Sequence, residues 1–340
     1  MINNKVIFVT GGTGSFGNKF IKTILSEHNP KKIIIFSRDE LKQYQMRINP
    51  ELQKYKNKLR FFLGDIRDFE RLKLSMRGVD LLVHAAALKQ VDAAEYNPFE
   101  VIKTNIIGSE NVIRCALENN VDRVIALSTD KASSPVNLYG ASKLCSDKLF
   151  ISGNNYTGNA RLKLSVVRYG NVMGSRGSII PSLLSNKKSN YEIPLTNIDM
   201  TRFTITLKQS VDFVIKCFFI MQGGELFVPK IPSYKLTDLK KALLPNNKIR
   251  IVGVRPGEKI HEEMISCDEA RNTIEFQDLF VVIPTSLFKE RHFEKNLLKK
   301  IGKFNLCKVG FSYRSDNNPV FLNPKQLKKI IEQNIADIVF

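Results

Sequence analysis

The sequence predicts an α/β protein built on a doubly wound parallel sheet of the Rossmann type, followed by a smaller C-terminal part. Three observations carry that prediction. Short, continuous apolar and β-branched runs alternate with helical stretches through the first half of the chain. The first of these runs passes directly into a glycine-rich turn that opens a helix. The length, 340 residues, suits about two domains at ~150 residues each.

In order along the chain, residues 5–10 read as a strand and 17–26 as a helix. KIIIF (32–36) is a second strand and 60–63 a short third, followed by a helix near 69–76. DLLVH (80–84) is a strand, 98–119 a long helix, RVIALS (123–128) a strand, 139–152 a helix and KLSVVR (163–168) a strand. Unbroken apolar runs of this kind suit strands covered on both faces. After Gly170 loops lengthen, and Gly, Ser, Asn and Pro become frequent. Residues 207–221 and 225–228 still read as one more helix and strand. The expected division is therefore 1–170 and 171–340, with 205–229 able to pack back on the first part.

Composition narrows the class. Apolar residues make up 43% and charged residues 25%, ordinary values for a globular chain, and they exclude disorder as the main state. No apolar run reaches the ~18 residues of a membrane helix. The longest candidate, 211–221, is broken by Lys216. The N-terminal MINNKVIFVT carries no cleavable-signal pattern, so a cytoplasmic protein is expected and no membrane partner. Lys+Arg 52 against Asp+Glu 33 gives a net charge of +19. That excess suits either a polyanion partner or a lysine-rich solvated surface. The basic residues are spread out, and the densest stretch, 289–303, has the spacing of a surface helix. The solvated surface is favoured and no nucleic-acid partner is expected. The five cysteines form no CxxC pair and the four histidines no HxxxH pair, so neither a disulfide framework nor a metal site is expected.

The first chemical motif is TGGTGSFG (10–17). Glycines between a strand and a helix permit a tight turn and let the backbone approach a pyrophosphate, while the helix N-terminus offers free N–H groups. Gly11, Thr13, Gly14, Ser15, Phe16 and Gly17 are the candidate contacts. SRDELK (37–42) follows the second strand. The Arg38 guanidinium suits an adenosine 2′-phosphate, with Asp39 and Lys42 beside it, which favours NADP. A helix N-capped at Ser37 is compatible with the same residues. In GDIRD (64–68), Asp65 and Ile66 are placed to flank an adenine, with an ordinary capped turn as the alternative. In HAAALKQ (84–90), Ala85 and Ala86 let a nicotinamide lie against the backbone, and Lys89 can reach phosphate or sugar. His84 is expected to be a packed strand-end residue.

The richest motif is LSTDKASSPVNLYGASK (127–143). Tyr139 and Lys143 are four apart and share one helix face. A nearby ammonium and an oxidised nicotinamide favour the Tyr139 phenolate, fitted to take a proton from a hydroxyl as hydride leaves its carbon. Leu127 and Ser128, at the end of the preceding strand, complete the candidate cofactor contacts.

Together these motifs resemble the extended short-chain dehydrogenase/reductases. STDKA with YGASK, HAAALK and SRDELK is most similar to the inverting UDP-N-acetylglucosamine 4,6-dehydratases of the polysaccharide biosynthesis group. RYGNVMGSRGSIIP (168–181), MTRFTIT (200–206), FVPKIPS (227–233), RPGEKIHEEM (255–264) and SYRSDNNP (312–319) extend the likeness across nearly the whole chain. Arg314 departs from the pattern, and 285–308 carries little of it.

The resemblance implies an NADP-binding domain and a sugar-nucleotide domain, and a lyase that opens the pseudaminic acid pathway used for flagellin or surface glycan. It implies a homo-oligomer, with a hexamer as the implied size. Asp130 and Lys131 beside the Tyr/Lys pair imply elimination. Lys131, as a neutral amine of lowered pKa, is to remove the carbon-5 proton, and Asp130, with a raised pKa, is to protonate the departing hydroxyl. Partial burial and repulsion from Lys143 are expected to lower Lys131. The NADP is regenerated each cycle. Sugar-nucleotide contacts are implied for Lys89, Asn171, Ile179, Thr196, Arg255, Glu258 and Tyr313. A related UDP-sugar epimerase, a retaining dehydratase and a non-catalytic NADP-binding regulator are the alternatives.

Overall fold

The structure, a computed structural model, describes residues 1–158, 160–175, 177–185, 192–284, 297 and 299–338. Residues 289–296 and 298 of the basic segment, and Arg176 of the 168–181 motif, lie outside the described residues.

The first six apolar runs form strands β1 (Val6–Thr10), β2 (Lys32–Ser37), β3 (Leu59–Leu63), β4 (Leu81–His84), β5 (Arg123–Thr129) and β6 (Lys163–Tyr169). All pair in parallel, in the order β3-β2-β1-β4-β5-β6. Their side chains are buried almost throughout β1, β2 and β4, as expected for strands covered on both faces. The order reverses between β1 and β4, where open α/β sheets bind their ligands.

Among the described residues eleven short strands follow in the second half, the first seven being β7 (Asn171–Val172), β8 (Ile193–Leu195), β9 (Thr201–Ile205), β10 (Leu226–Pro229), β11 (Ser233–Lys235), β12 (Ile249–Ile251) and β13 (Glu263–Ile265). The last four are β14 (Thr273–Glu275), β15 (Leu279–Val282), β16 (Asn305–Leu306) and β17 (Tyr313–Arg314). β10 joins the main sheet parallel to β6, and β15, β14 and β16 continue it antiparallel. From Ile231 on the sequence reads only as small helices and strands around RPGEK (255–259), without bounds for any strand over 273–282, because three- and four-residue strands leave no alternation long enough to read. The other short strands make small sheets, β11-β9-β7, β12-β8 and β13-β17. Strands β8, β11 and β12 contribute to a second apolar cluster that includes Met173, Ile180, Leu195, Leu239 and Leu327, whereas Phe203 of β9, Ile265 of β13 and Tyr313 of β17 belong to the main core.

Helices Ser15–Glu27 and Leu207–Ile220 pack together, as do Gly108–Glu118 and Leu138–Ser152. The continuous helix expected over 98–119 is interrupted. Pro98–Val101 is α-helical, Ile102–Ile107 is a π-helix and Gly108–Glu118 returns to α. The wider turn places Asn105, whose amide donates to Leu88 O and Ser142 Oγ while its carbonyl accepts from Leu88 N. One side chain thus fastens the 85–90 loop to the Leu138–Ser152 helix.

That helix is fixed to β6 by charge. Arg168, fully buried, donates to Asp147 at 3.2 Å and to both Glu269 carboxylate oxygens, and Ser128 Oγ donates to Asp147 at 2.7 Å. Removing one member of such a group costs about 3–5 kcal/mol, because the other charge is left buried and unpaired.

Candidate active site

The glycine turn is built for close approach. Gly11 has φ +64°, and a Cβ there would meet Ala86 N and Cα at 2.9 Å. A Cβ on Gly17 would lie 2.6 Å from Gly12 Cα, so helix Ser15–Glu27 packs directly on the turn. Gly14 is its N-cap and supplies no side-chain hydrogen bond, leaving first-turn N–H groups for an anion. Thr10, at the end of β1, accepts from Ala85 N and Ala86 N and shares a 2.9 Å hydrogen bond with His84 Nδ1. The glycine turn and the alanine segment are therefore held side by side. His84 is 1% exposed, and burial with the Lys143 charge lowers its pKa to about 3. It is a neutral structural residue.

A cavity of about 820 Å³ opens over these strand ends. Gly11, Thr13, Gly14, Ser15, Phe16 and Gly17 line it, with Arg38, Asp39 and Lys42 along one side. Asp65, Ile66, Ala85, Ala86, Lys89, Leu127 and Ser128 line it as well. Every candidate cofactor residue is thus gathered on one surface, and the glycine cradle fits a dinucleotide. Arg38 is exposed, with Nη1 3.4 Å from Asp65 Oδ2. The helix after β2 is capped by Asp39, which accepts from Lys42 N, and not by Ser37. Asp65 also accepts from Arg67, which holds its carboxyl below the usual range against the effect of burial.

Asp130, Lys131, Tyr139 and Lys143 line the inner wall of the same cavity. Asn137 caps the Leu138–Ser152 helix through Gly140 N. A Cβ on Gly140 would lie 2.3 Å from Lys131 O. The helix can therefore rest directly on the 130–132 turn, which brings Lys131 beside Tyr139.

The charge states differ from the sequence reading. Burial pushes the Tyr139 phenol up to about 12, opposed by the Lys131 charge. Lys143 Nζ donates to Leu127 O at 2.7 Å, and burial lowers its pKa. Lys131 was expected to be depressed through repulsion from Lys143. Burial does act that way, but the carboxylates of Asp130 and Glu262 outweigh it and hold Lys131 above its ordinary value. Its Nζ lies 3.1 Å from Asp130 Oδ1 and 2.9 Å from Glu262 Oε1. Asp130 is raised, as expected, by burial and by the Glu262 charge.

A second cavity, about 450 Å³, adjoins the first and shares Lys89, Lys131 and Asn171 with it. Ile179, Thr196, Arg255 and Glu258 line it. Its 255–259 loop is tied to the start of the Leu138–Ser152 helix by Asn137 Nδ2, which donates to Gly257 O at 2.7 Å. Glu258 pairs with Arg202 at 3.5 Å. Tyr313 lies outside both cavities. It is buried against Phe203 and Phe280, and its hydroxyl donates to Ile231 O and accepts from Ile231 N. That pairing occupies the hydroxyl, so the structure gives no support for a sugar contact there.

Sequence reasoning passed over Glu262 and Arg202. Both lie in motifs that carry the resemblance, yet only the fold brings them to Lys131. Among the described residues, five buried side-chain atoms in the two cavities lack a hydrogen-bond partner: Thr104 Oγ1, Asp130 Oδ2, Asn171 Oδ1, Ser178 Oγ and Glu262 Oε2. Orphaned polar atoms of this kind are costly unless a polar ligand meets them. Among the described residues, no helix is long and apolar enough to cross a membrane.

Sheet order, glycine turn and Tyr/Lys pair define an extended short-chain dehydrogenase/reductase fold. The polysaccharide biosynthesis protein family matches residues 7–284, and the chain belongs to that family. It is 51% identical over 338 residues to the UDP-N-acetylglucosamine 4,6-dehydratase (inverting) of Campylobacter jejuni, covering 97% of this chain and 98% of that protein. It is 44% identical over 279 residues to the UDP-glucose 4-epimerase of Rickettsia akari, covering 79% and 80%. Among solved structures, Pen from Bacillus thuringiensis superimposes with a TM-score of 0.85 at 34% identity, covering 98% of this chain and 99% of that one.

Proposed function

We propose that this protein is an inverting UDP-N-acetylglucosamine 4,6-dehydratase. The observation that carries the reading is that Asp130, Lys131, Tyr139 and Lys143 line one cavity, and Lys131 also lines the adjoining one. The 51% identity to a relative of that name supports it.

The first cavity would hold NADP, whose nicotinamide would supply the chemistry of accepting hydride from carbon 4 and giving it back at carbon 6, so no external reductant would be consumed. Arg38 would bind its 2′-phosphate, and Lys143 would orient its ribose. The sugar nucleotide lies in the second cavity, with Arg255 on the diphosphate. An oxidised nicotinamide and the Lys131 charge beside it would draw the Tyr139 phenol down from its raised value, and as phenolate Tyr139 takes the proton of the carbon-4 hydroxyl. The resulting ketone acidifies carbon 5, whose proton goes to the Lys131 amine. Asp130 gives its proton to the departing carbon-6 hydroxyl. Reprotonation of carbon 5 on the opposite face inverts it. The reading carries with it a cytoplasmic homo-oligomer that feeds pseudaminic acid synthesis.

The epimerase relative supports a second reading, since oxidation and return at carbon 4 need only the Tyr/Lys pair. The buried Asp130 and the half-buried Lys131 have no task in that reaction.

The test is incubation with UDP-N-acetylglucosamine in deuterated water without added reductant, followed by NMR of the product. A 6-deoxy-4-keto sugar, inverted and deuterated at carbon 5, is expected. Lys131→Ala should keep NADP bound and lose carbon-5 uptake by at least ~10²-fold. A 4-epimer free of carbon-5 deuterium establishes the epimerase reading instead, and unchanged uptake in the variant removes Lys131 as base.

A further inference from the structure

A lysine held as ammonium between two carboxylates is not yet a base, and the proton it carries needs a destination inside a covered site. Glu262 offers one. Its Oε1 lies 2.9 Å from Lys131 Nζ, its side chain is 3% exposed, and its Oε2 is buried without a hydrogen-bond partner. Glu262 N donates to Ser315 Oγ, which fixes the backbone at this point.

The surrounding groups define a balanced pair. From the 130–132 turn, Asp130 meets Lys131 at 3.1 Å. From β9, Arg202 Nε approaches Glu262 Oε1 to 3.7 Å. Within its own loop, Lys259 adds positive charge, and Tyr234 on β11 feels the charges of Arg202, Lys131, Asp130 and Glu262. His261 is bound to Thr201 Oγ1 and lies 3.9 Å from Asp316. Lys131 and Arg202 keep Glu262 ionised at rest, despite burial. Covering the pocket with a sugar raises the cost of keeping an ion pair there, so a neutral amine beside a neutral acid becomes competitive.

We propose that Glu262 is the proton-holding, positioning residue for Lys131: it takes the Lys131 proton along their direct contact and so frees the amine to act at carbon 5. This rests on the dehydratase reading above. The step balances. One N–H bond of the ammonium breaks, one O–H bond forms on Glu262, and the nitrogen lone pair released is the one that accepts the carbon-5 proton. Glu262 returns its proton when the cycle closes. Because the proton stays within the pair, carbon-5 exchange in the native enzyme does not depend on bulk hydroxide near neutrality.

The experiment measures carbon-5 deuterium uptake from UDP-N-acetylglucosamine by the NADP-loaded enzyme across about pH 6–9. Native protein should give a nearly flat profile. Glu262→Gln keeps an acceptor for the ammonium but cannot take the proton. Its uptake should fall roughly tenfold for each pH unit below the point where it meets the native rate. Glu262→Asp should restore the flat profile at a reduced rate. A Glu262→Gln profile that stays flat, whether unchanged or lowered by one factor at every pH, overturns the proposal. So does an aspartate variant that behaves like glutamine while melting at the native temperature. Absence of uptake by the native enzyme would instead overturn the dehydratase reading.

Discussion

Gly140→Ala tests how closely the proposed catalytic residues depend on backbone packing. The added Cβ would fall 2.3 Å from Lys131 O, 3.2 Å from Lys131 C and 3.1 Å from Pro135 Cβ. An ordinary contact begins near 3.4 Å, so the helix and the 130–132 turn must separate by about 1 Å. The closest obstacle is main chain, and no rotamer change relieves it. Tyr139 moves with the helix and Lys131 with the turn, so the separation appears directly between them. A 1 Å misplacement costs about 10²-fold in rate, and overpacking costs about 1–3 kcal/mol in stability. The assay pairs saturating-substrate turnover, read by NMR of the product, with a urea melt. Turnover within about threefold of native, in a folded variant, would refute the reasoning.

Arg38→Ala should weaken NADP by roughly ten- to a hundredfold, the worth of a charged hydrogen bond, and weaken NAD far less; equal losses in titration calorimetry would place 2′-phosphate recognition elsewhere. His84 has a folded pKa of about 3 against an ordinary 6.5, so between those values the unfolded chain binds one more proton. Its contribution to stability is complete above pH 6.5 and falls as the pH drops below, by about 1.4 kcal/mol per unit. His84→Asn should flatten the pH dependence of urea midpoints by one proton between about pH 6 and 4; an unaltered slope would mean the imidazole is already charged in the fold.

The strands of the first half were legible because each is a single apolar run between turn residues, and each forms within two residues of the expected bounds. The glycine turn was legible for a related reason, since its chemistry is local. The π-turn at Ile102–Ile107 was not, because one extra residue per turn leaves an apolar pattern that still reads as continuous helix. Within the site, position was easier to read than charge. Asp130, Lys131, Tyr139 and Lys143 do face one cavity. The ionisation of Lys131 depends on Glu262, 131 residues away, and an EE pair in a polar loop gives no sign of burial. Tyr313 shows the converse: a motif position suggested a sugar contact, and the fold gave its hydroxyl to Ile231.

The antiparallel strands β15, β14 and β16 bear on how this chain can be divided. β10 pairs with β6 on one side and β15 on the other, and its four residues are all buried. A fragment cut after β10 would carry every cofactor-lining residue named above, yet would end in a bare apolar border open to pairing with other chains. The 255–264 loop, which brings Glu258 and Glu262 to the site, lies in sequence between β10 and the strands that cover it. Isolating the nucleotide half would therefore yield a sticky, unclosed sheet, and active pieces would have to be sought by circular permutation at exposed turns.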